Sequence, residues 1–218
     1  MSKTLKQRNR PQLITFAIVN VALLGIIELG PQRALTLADE ITKGNWATLG
    51  KVIATPAVAA LVLGMIGWAV PREWKETLIF WRIGDRCLPS SRAFSRIAGS
   101  DPRIDASRLS QQIGEFPIEP AKQTALWYSI YRRHMLEPAV EDAHRAYLLY
   151  REMIGVIGTA LVAVLLMGLS LQIPWRLTAF SSFLLLFEYL VVMLASRHSG
   201  EHLVANVLAI ASASTDAL

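Results

Sequence analysis

Four stretches of this chain run for about 20 residues almost without charge, and each is long enough to cross a bilayer. A helix advances about 1.5 Å per residue, so roughly 20 apolar residues cover a hydrocarbon core about 30 Å thick. The stretches predict four transmembrane helices, at residues 12–30, 51–71, 152–173 and 177–196. The turn before the last of them is short and contains Pro174, which predicts an antiparallel hairpin.

The composition supports a membrane protein. Hydrophobic residues make up 53% of the 218 residues and charged residues only 18%. Adding glycine raises the apolar share to about 59%, against roughly 45–50% in soluble domains, which excludes a disordered chain and argues against a soluble enzyme. The lone cysteine, Cys87, cannot form an internal disulfide, and there is no Cys-x-x-Cys pair for a zinc or redox site.

The first apolar stretch follows a basic N-terminus and has two interpretations. A cluster of lysine and arginine before an apolar run is typical of a secretory signal. No small-x-small cleavage site follows Leu29, where the chain reads GPQRALTLADE. We therefore expect an uncleaved membrane anchor.

The distribution of lysine and arginine predicts the orientation. The N-terminus, the 72–152 segment and the C-terminus together hold 18 of the 22 basic residues. Because basic loops resist translocation, both termini and the middle segment are expected in the cytoplasm. Cys87 then lies in the reducing compartment, which agrees with the absence of disulfides.

The chain divides by composition into four parts. Residues 1–71 are an N-terminal arm with the first hairpin, 72–151 an arginine-rich cytoplasmic module, 152–196 the second hairpin and 197–218 a cytoplasmic tail. The density of tryptophan and tyrosine in the module predicts that it is folded and mainly helical, because such side chains favour burial.

No helix breaker lies between Pro138 and Pro174, so the third membrane helix should project well into the cytoplasm. Residues 203–215, too short to span, predict a short helix packed on the protein or on the membrane surface. The fold class is therefore an all-α membrane protein with a mainly helical insert between helices 2 and 3.

A run of arginines in the module is the main candidate for a binding site. A guanidinium offers a planar fork of donors that suits phosphate oxygens, whereas a merely solubilising surface would use lysine as freely. The ligand would be a nucleotide or a short nucleic acid. Contact with anionic lipid heads and pairing with nearby aspartates remain alternatives. The candidate ligand-binding residues are Arg82, Arg86, Arg92, Arg96 and Arg103.

Glu188 lies near the middle of the fourth predicted span. A carboxylate there is costly unless it faces a partner, a water-filled path or another subunit, so it is a candidate pore residue together with Asn20. The alternative is a hydrogen bond from Asn20, Thr15, Thr55 or Ser182 that only locks helices together. Small residues at helix-packing positions, such as Gly155 and Gly158, favour a homo-oligomer.

No catalytic, cofactor or metal motif is recognisable. His198 and His202 flank Glu201, but the His-Glu-x-x-His order of zinc proteases is missing. There is no glycine-rich phosphate loop and no Gly-x-Ser-x-Gly elbow. We expect no enzyme activity, no cofactor and no bound metal.

The layout of two spans, an arginine-rich module and two more spans resembles a known class of protein. The module carries the run WKETLIFWRIGDRCLPSSRAFSRIAGSDPRID and the element ALWYSIYRR. In this it resembles small multipass effectors of bacterial anti-phage defence, in particular Hailong-type membrane effectors. The resemblance implies an oligomer controlled by a nucleotide or oligonucleotide that a partner nucleotidyltransferase makes, and an activated state that depolarises the inner membrane.

Together these features predict a homo-oligomeric pore or channel, gated by an anionic ligand on the cytoplasmic module. One alternative is a membrane scaffold that recruits a cytosolic partner without conducting. The other is a multipass enzyme that modifies lipid at the cytoplasmic face.

Overall fold

A computed structural model describes residues 4–29, 31–44, 70–82, 88–170 and 174–214. Over these residues the regular structure is entirely helical, without a strand, so the prediction of an all-α fold is confirmed. In chain order the elements are α1 (Leu5–Leu29), α2 (Pro31–Thr42), α3 (Arg72–Phe80), an irregular helix made of Pro89–Arg92, Ala93–Ile97 and Ala98–Ser100, α4 (Ala106–Ile113), α5 (Pro120–His134), α6 (Pro138–Ser170) and α7 (Trp175–Ala213).

Two helices in the described part of the chain are long and apolar enough to cross a membrane, namely Pro138–Leu166 of α6 and Trp175–Ala213. A core helix of a soluble protein would also pass this test, but it would be mostly buried. Here only 39% and 28% of the most apolar windows are buried. Large apolar side chains point outward instead, among them Phe183 at 67% and Leu194 at 60% exposure. This exposure favours a lipid environment.

The sequence predicted four spans, whereas the described residues contain two helices that qualify as candidate spans. The predicted span 12–30 coincides with α1, which begins earlier, at Leu5, and continues through Pro11, but α1 is not one of the two qualifying helices. Of the predicted span 51–71, all but the last two residues lie outside the described ranges. Four spans therefore remain a prediction, whereas two candidate spans are observed.

The chain forms two compact units. One, which we call the apolar unit, comprises Met1–Pro71 and Glu152–Val192. The other, the module, comprises Arg72–Arg151 and Met193–Leu218. The chain therefore passes from one unit to the other within each of the two longest helices, α6 and α7.

The C-terminal part of α7 belongs to the core of the module. The buried side chains of Leu203, Val207 and Leu208 pack in one cluster with Trp127 and Ile130 of α5. The sequence predicted a separate short helix over 203–215, whereas the structure has one continuous helix of 39 residues, about 58 Å long. Because α7 continues without a turn, the backbone N–H and C=O groups in its middle form hydrogen bonds within the helix.

Gly200, which weakens helix propensity, lies inside α7 because this position requires a small residue. A Cβ placed on Gly200 would lie 3.1 Å from Cγ of Pro89 and 3.4 Å from ring atoms of Phe80 and Tyr147. Packing of these three side chains against the helix backbone offsets the lower helix propensity of glycine.

Helix α3 buries residues other than the tryptophans in and next to it. The side chains of Trp74 and Trp81 are 67% and 63% exposed. The buried residues are Lys75, Glu76, Ile79 and Phe80. The burial that the aromatic density predicted thus holds for Trp127, at 8% exposure, but not for Trp74 or Trp81. The charged Glu76 is held inside because it accepts a hydrogen bond from Arg72.

Candidate anion-binding site

The irregular helix at 89–100 orients two of the predicted arginines. It starts at Pro89 as a 3₁₀ turn, widens to a π turn at Ala93–Ile97 and ends as a short α turn. The buried side chains of Phe94 and Ile97 anchor it in the core. Arg96 is exposed and Arg92 half-buried, because the apolar residues between them take the inner face.

The side chain of Gln123 in α5 holds the π turn in place by hydrogen bonds. It is 1% exposed, and its Oε1 accepts hydrogen bonds from the backbone N–H groups of Phe94 at 3.1 Å and Ser95 at 3.2 Å. The Ser95 hydroxyl donates to the same oxygen at 3.3 Å, while Gln123 Nε2 donates to the carbonyl of Ile118 at 3.0 Å. The segment between Arg92 and Arg96 is thus held by one buried amide.

Three of the five predicted arginines lie close together. The pKa of Arg92 is lowered, first by burial and then by the positive charges of Arg82 and Arg96, while Glu201 acts in the opposite direction. Nε of Arg92 is buried and has no hydrogen-bond partner among the described residues. Within that part of the chain, none of the three guanidinium groups forms an ion pair with a carboxylate. Among the described residues the three guanidinium groups therefore carry a surplus of positive charge, which Glu201 offsets in part.

A groove of about 420 Å³ adjoins this cluster. Its polar lining consists of Arg96, Ser100, Asp101, Arg103, His198, Glu201 and His202. The two histidines are one turn apart on α7, and their ring centroids are separated by 5.4 Å. The groove is therefore lined by donors from the irregular helix on one side and from α7 on the other.

Arg103 lines the same groove but has partners of its own. Its Nη2 lies 2.7 Å from Oδ2 of Asp101, and its Nη1 donates to Oδ1 of Asn206 at 3.0 Å. The hydrogen bonds from Arg103 lower the pKa of Asp101 to about 2. The pairing of arginine with aspartate that the sequence left open thus describes Arg103, whereas Arg92 and Arg96 have no such partner among the described residues. Arg86 lies outside the described residues, as does Cys87.

The two candidate pore residues are joined in the apolar unit. Nδ2 of Asn20 donates to Oε1 of Glu188 at 2.9 Å and to the carbonyl of Phe16 at 3.2 Å. Asn20 is 3% exposed, and Oε2 of Glu188 is buried without a partner in the described part of the chain. The bond connects α1 to α7, which matches the helix-locking alternative named for Asn20 and does not by itself define a conducting path.

The sequence reasoning missed the contribution of α7 to the groove. It considered His198, Glu201 and His202 only as metal ligands, and the described residues contain no group of three or more such ligands in reach of one ion. Their spacing of three and four residues put them on one helix face, but nothing local linked that face to Arg96, about a hundred residues earlier.

Comparison with known proteins gives no relative: no family model, no curated protein and no solved structure matches this chain. The chemistry of the site must therefore be read from its residues. The lining holds two carboxylates, Asp101, which is paired with Arg103, and Glu201. The guanidinium of Arg96 beside the two imidazoles offers donors that suit the oxygens of a phosphate group.

Proposed function

We propose that this chain is a membrane protein whose helical module binds a phosphorylated ligand in the groove. Arg96 contacts the phosphate, Arg82 and Arg92 add positive potential, and Arg103 shapes the wall through Asp101. The observation that carries the proposal is a groove lined by Arg96, His198 and His202 next to the positive charges of Arg82 and Arg92. A bound anion would offset the repulsion among these like charges.

The experiment measures binding of two probes, ATP and a fluorescein-labelled six-nucleotide DNA of mixed sequence, to the purified full-length protein. Arg96→Gln removes one charge-assisted contact, worth about 1.5–3 kcal/mol, so affinity should fall about 10- to 100-fold. Arg92→Gln removes only a neighbouring positive charge, so the loss of affinity should be smaller. Arg133→Gln is the matched control, because Arg133 is exposed on α5 and lies outside the groove.

Two results would separate this proposal from its alternatives. Equal affinity in the wild type, Arg92→Gln and Arg96→Gln would refute the site. Loss of probe binding when the surrounding nanodisc contains phosphatidylglycerol instead of phosphatidylcholine would assign the groove to lipid headgroups. The neutralised variants should also be at least as thermally stable as the wild type without ligand, because each removes repulsion within the cluster.

We further propose that ligand binding acts on the membrane part, and that the protein is an inner-membrane effector with both termini in the cytoplasm. The support is continuity, since α6 and α7 each contribute residues to the module and to the apolar unit. In the full form of the proposal the protein is a homo-oligomeric pore that serves anti-phage defence, and the triggering nucleotide is made by a partner enzyme. The polar pair Asn20–Glu188 then lies at or near the conducting path.

A membrane-potential dye in cells that express the full chain tests this step. A ligand-gated pore depolarises the cells when the triggering nucleotide is supplied, and Arg96→Gln should abolish the response. A scaffold that only recruits a partner leaves the potential unchanged, and a lipid-modifying enzyme changes the lipid profile before any depolarisation. Either of these results would contradict the pore while leaving the anion site intact.

A further inference from the structure

The module contains a second and larger cavity, of about 900 Å³, that shares no lining residue with the groove. Both sites use the same turns of α7. His198, Glu201 and His202 face the groove, whereas Gly200, Leu203 and Val204 line the cavity. A volume of this size is in the range of pockets that bind small organic molecules.

One part of the cavity wall is aromatic. Trp127 and Tyr131 of α5 stack with ring centroids 5.3 Å apart, and Tyr128 lies 5.9 Å from Tyr131. Trp127 is 8% exposed and Tyr128 is 52% exposed, so these rings give this part of the wall a large apolar surface.

Another part of the wall is charged. The lining includes three guanidinium groups, from Arg72, Arg132 and Arg151, and one carboxylate, from Glu76. Glu76 and Arg151 are 6% and 7% exposed. Oε1 of Glu76 accepts from Nε of Arg72 and lies 3.8 Å from Nη1 of Arg151. The wall thus combines a surplus of positive charge with a large apolar surface.

We infer that this cavity binds an amphiphile that has one anionic head and an acyl chain. The head would lie at the guanidinium groups, and the chain against Trp127, Tyr128 and Leu203. The sequence indicates the membrane as the source of such a ligand. Arg72 directly follows the apolar segment 51–71, and Arg151 directly precedes the apolar segment 152–173. Two of the three guanidinium groups are therefore next in sequence to predicted membrane helices. The inference concerns a different site from the arginine groove and does not depend on it.

Quenching of Trp127 by brominated amphiphiles tests the inference. The purified full-length protein in phosphatidylcholine nanodiscs is titrated with dibromostearic acid, with dibromo-phosphatidic acid and with an uncharged dibromo-octadecanol. The other tryptophans contribute a background, which the Trp127→Phe variant measures. We expect saturable quenching of the Trp127 component by the acids, with at least tenfold weaker binding of the alcohol.

Two variants link that signal to the cavity. Ala125→Phe fills the cavity from an exposed position on α5, so it should weaken binding at least tenfold without disturbing the core. Gln111→Phe, on the exposed face of α4 and away from the cavity, is the matched control. Arg132→Gln removes one exposed guanidinium and should weaken binding of the acids severalfold while leaving the alcohol unchanged.

The pattern of binding identifies the source of the ligand or overturns the inference. Saturable binding of the fatty acid alone points to a free fatty acid, and binding of phosphatidic acid as well points to a membrane phospholipid. Inorganic phosphate, which lacks an apolar body, should compete with neither acid. Equal quenching by acid and alcohol, or quenching unchanged in Ala125→Phe, would show that the probes only partition into the bilayer.

Discussion

Gln123→Ala removes the one buried amide that fixes the π turn between Arg92 and Arg96, and its cost can be estimated from the structure. The N–H of Phe94, a residue only 4% exposed, loses its acceptor, at about 1–3 kcal/mol. The groups at Ser95 and Ile118 reach solvent, so they add little. The space left by the shortened side chain adds about 1 kcal/mol. The total is about 2–4 kcal/mol.

Thermal unfolding of the purified full-length protein, followed by tryptophan fluorescence, measures this loss. For a domain of about 100 residues, 1 kcal/mol corresponds to roughly 4–8 °C, so the transition of the module should fall by about 10–25 °C. Hydrogen exchange of peptides that cover residues 93–97 should accelerate in the same variant, because the two amide donors of Phe94 and Ser95 lose their acceptor. Gln111→Ala, on the exposed face of α4, is the control and should change neither quantity.

The near-isosteric variant Gln123→Met separates the hydrogen bonds from the volume. It fills about the same space but offers no acceptor to the N–H groups of Phe94 and Ser95, so exchange at residues 93–97 should be as fast as in Gln123→Ala. If Gln123→Ala unfolded at the temperature of Gln111→Ala with normal exchange at 93–97, the buried amide would not hold the turn, and the positioning of Arg92 and Arg96 would need another explanation.

Three further predictions concern single contacts. Gly200→Ala should lower the transition temperature because its Cβ would press on Pro89 at 3.1 Å, with overpacking of about 1–3 kcal/mol exceeding the helix propensity gained, whereas Gly99→Ala, which meets no atom within 4 Å, should be neutral or stabilising. The pKa of Asp101 in the folded protein is lowered to about 2 from 3.8, so the stability that this carboxylate contributes is present above about pH 4 and lost as the pH falls through 2. In Asp101→Asn this pH dependence of the transition temperature should vanish. The same pH dependence in wild type and variant would contradict the prediction. Asn20→Leu should destabilise the apolar unit by about 1–3 kcal/mol, because Glu188 loses its hydrogen-bond donor. In thermal inactivation, the double variant Asn20→Leu with Glu188→Leu should recover most of this loss. Absence of recovery would mean that the two residues are not coupled.

The sequence by itself was sufficient for the helical class and for the positions of the two long apolar helices. Uncharged runs longer than about 20 residues leave few other options, because a backbone in lipid must satisfy its own hydrogen bonds. The fourth predicted span lies inside α7 for this reason, and the third lies inside α6 as far as Ser170, the last described residue of that helix. The projection of the third helix beyond the apolar stretch, which was predicted from the absence of a breaker after Pro138, agrees with the start of α6 at that residue.

Within the module, the sequence identified residue types but not neighbours. It indicated arginines as candidates for phosphate binding, and the charges of Arg82 and Arg96 act on Arg92 in the structure. It could not distinguish Arg103, whose guanidinium is paired with Asp101 and with Asn206, more than a hundred residues away. It also could not place His198 and His202 opposite Arg96, or show that α7 runs unbroken through Gly200 into the core.

These features were decided by tertiary packing, and the physical reason is the range of the interactions. Hydropathy and helix length act over one segment, so they can be read from consecutive residues. The partners of a guanidinium, the exposure of Trp74 and Trp81, and the room for a side chain at Gly200 depend on atoms that other helices bring close. Only the folded module sets those distances, and with them the charge that remains for a ligand.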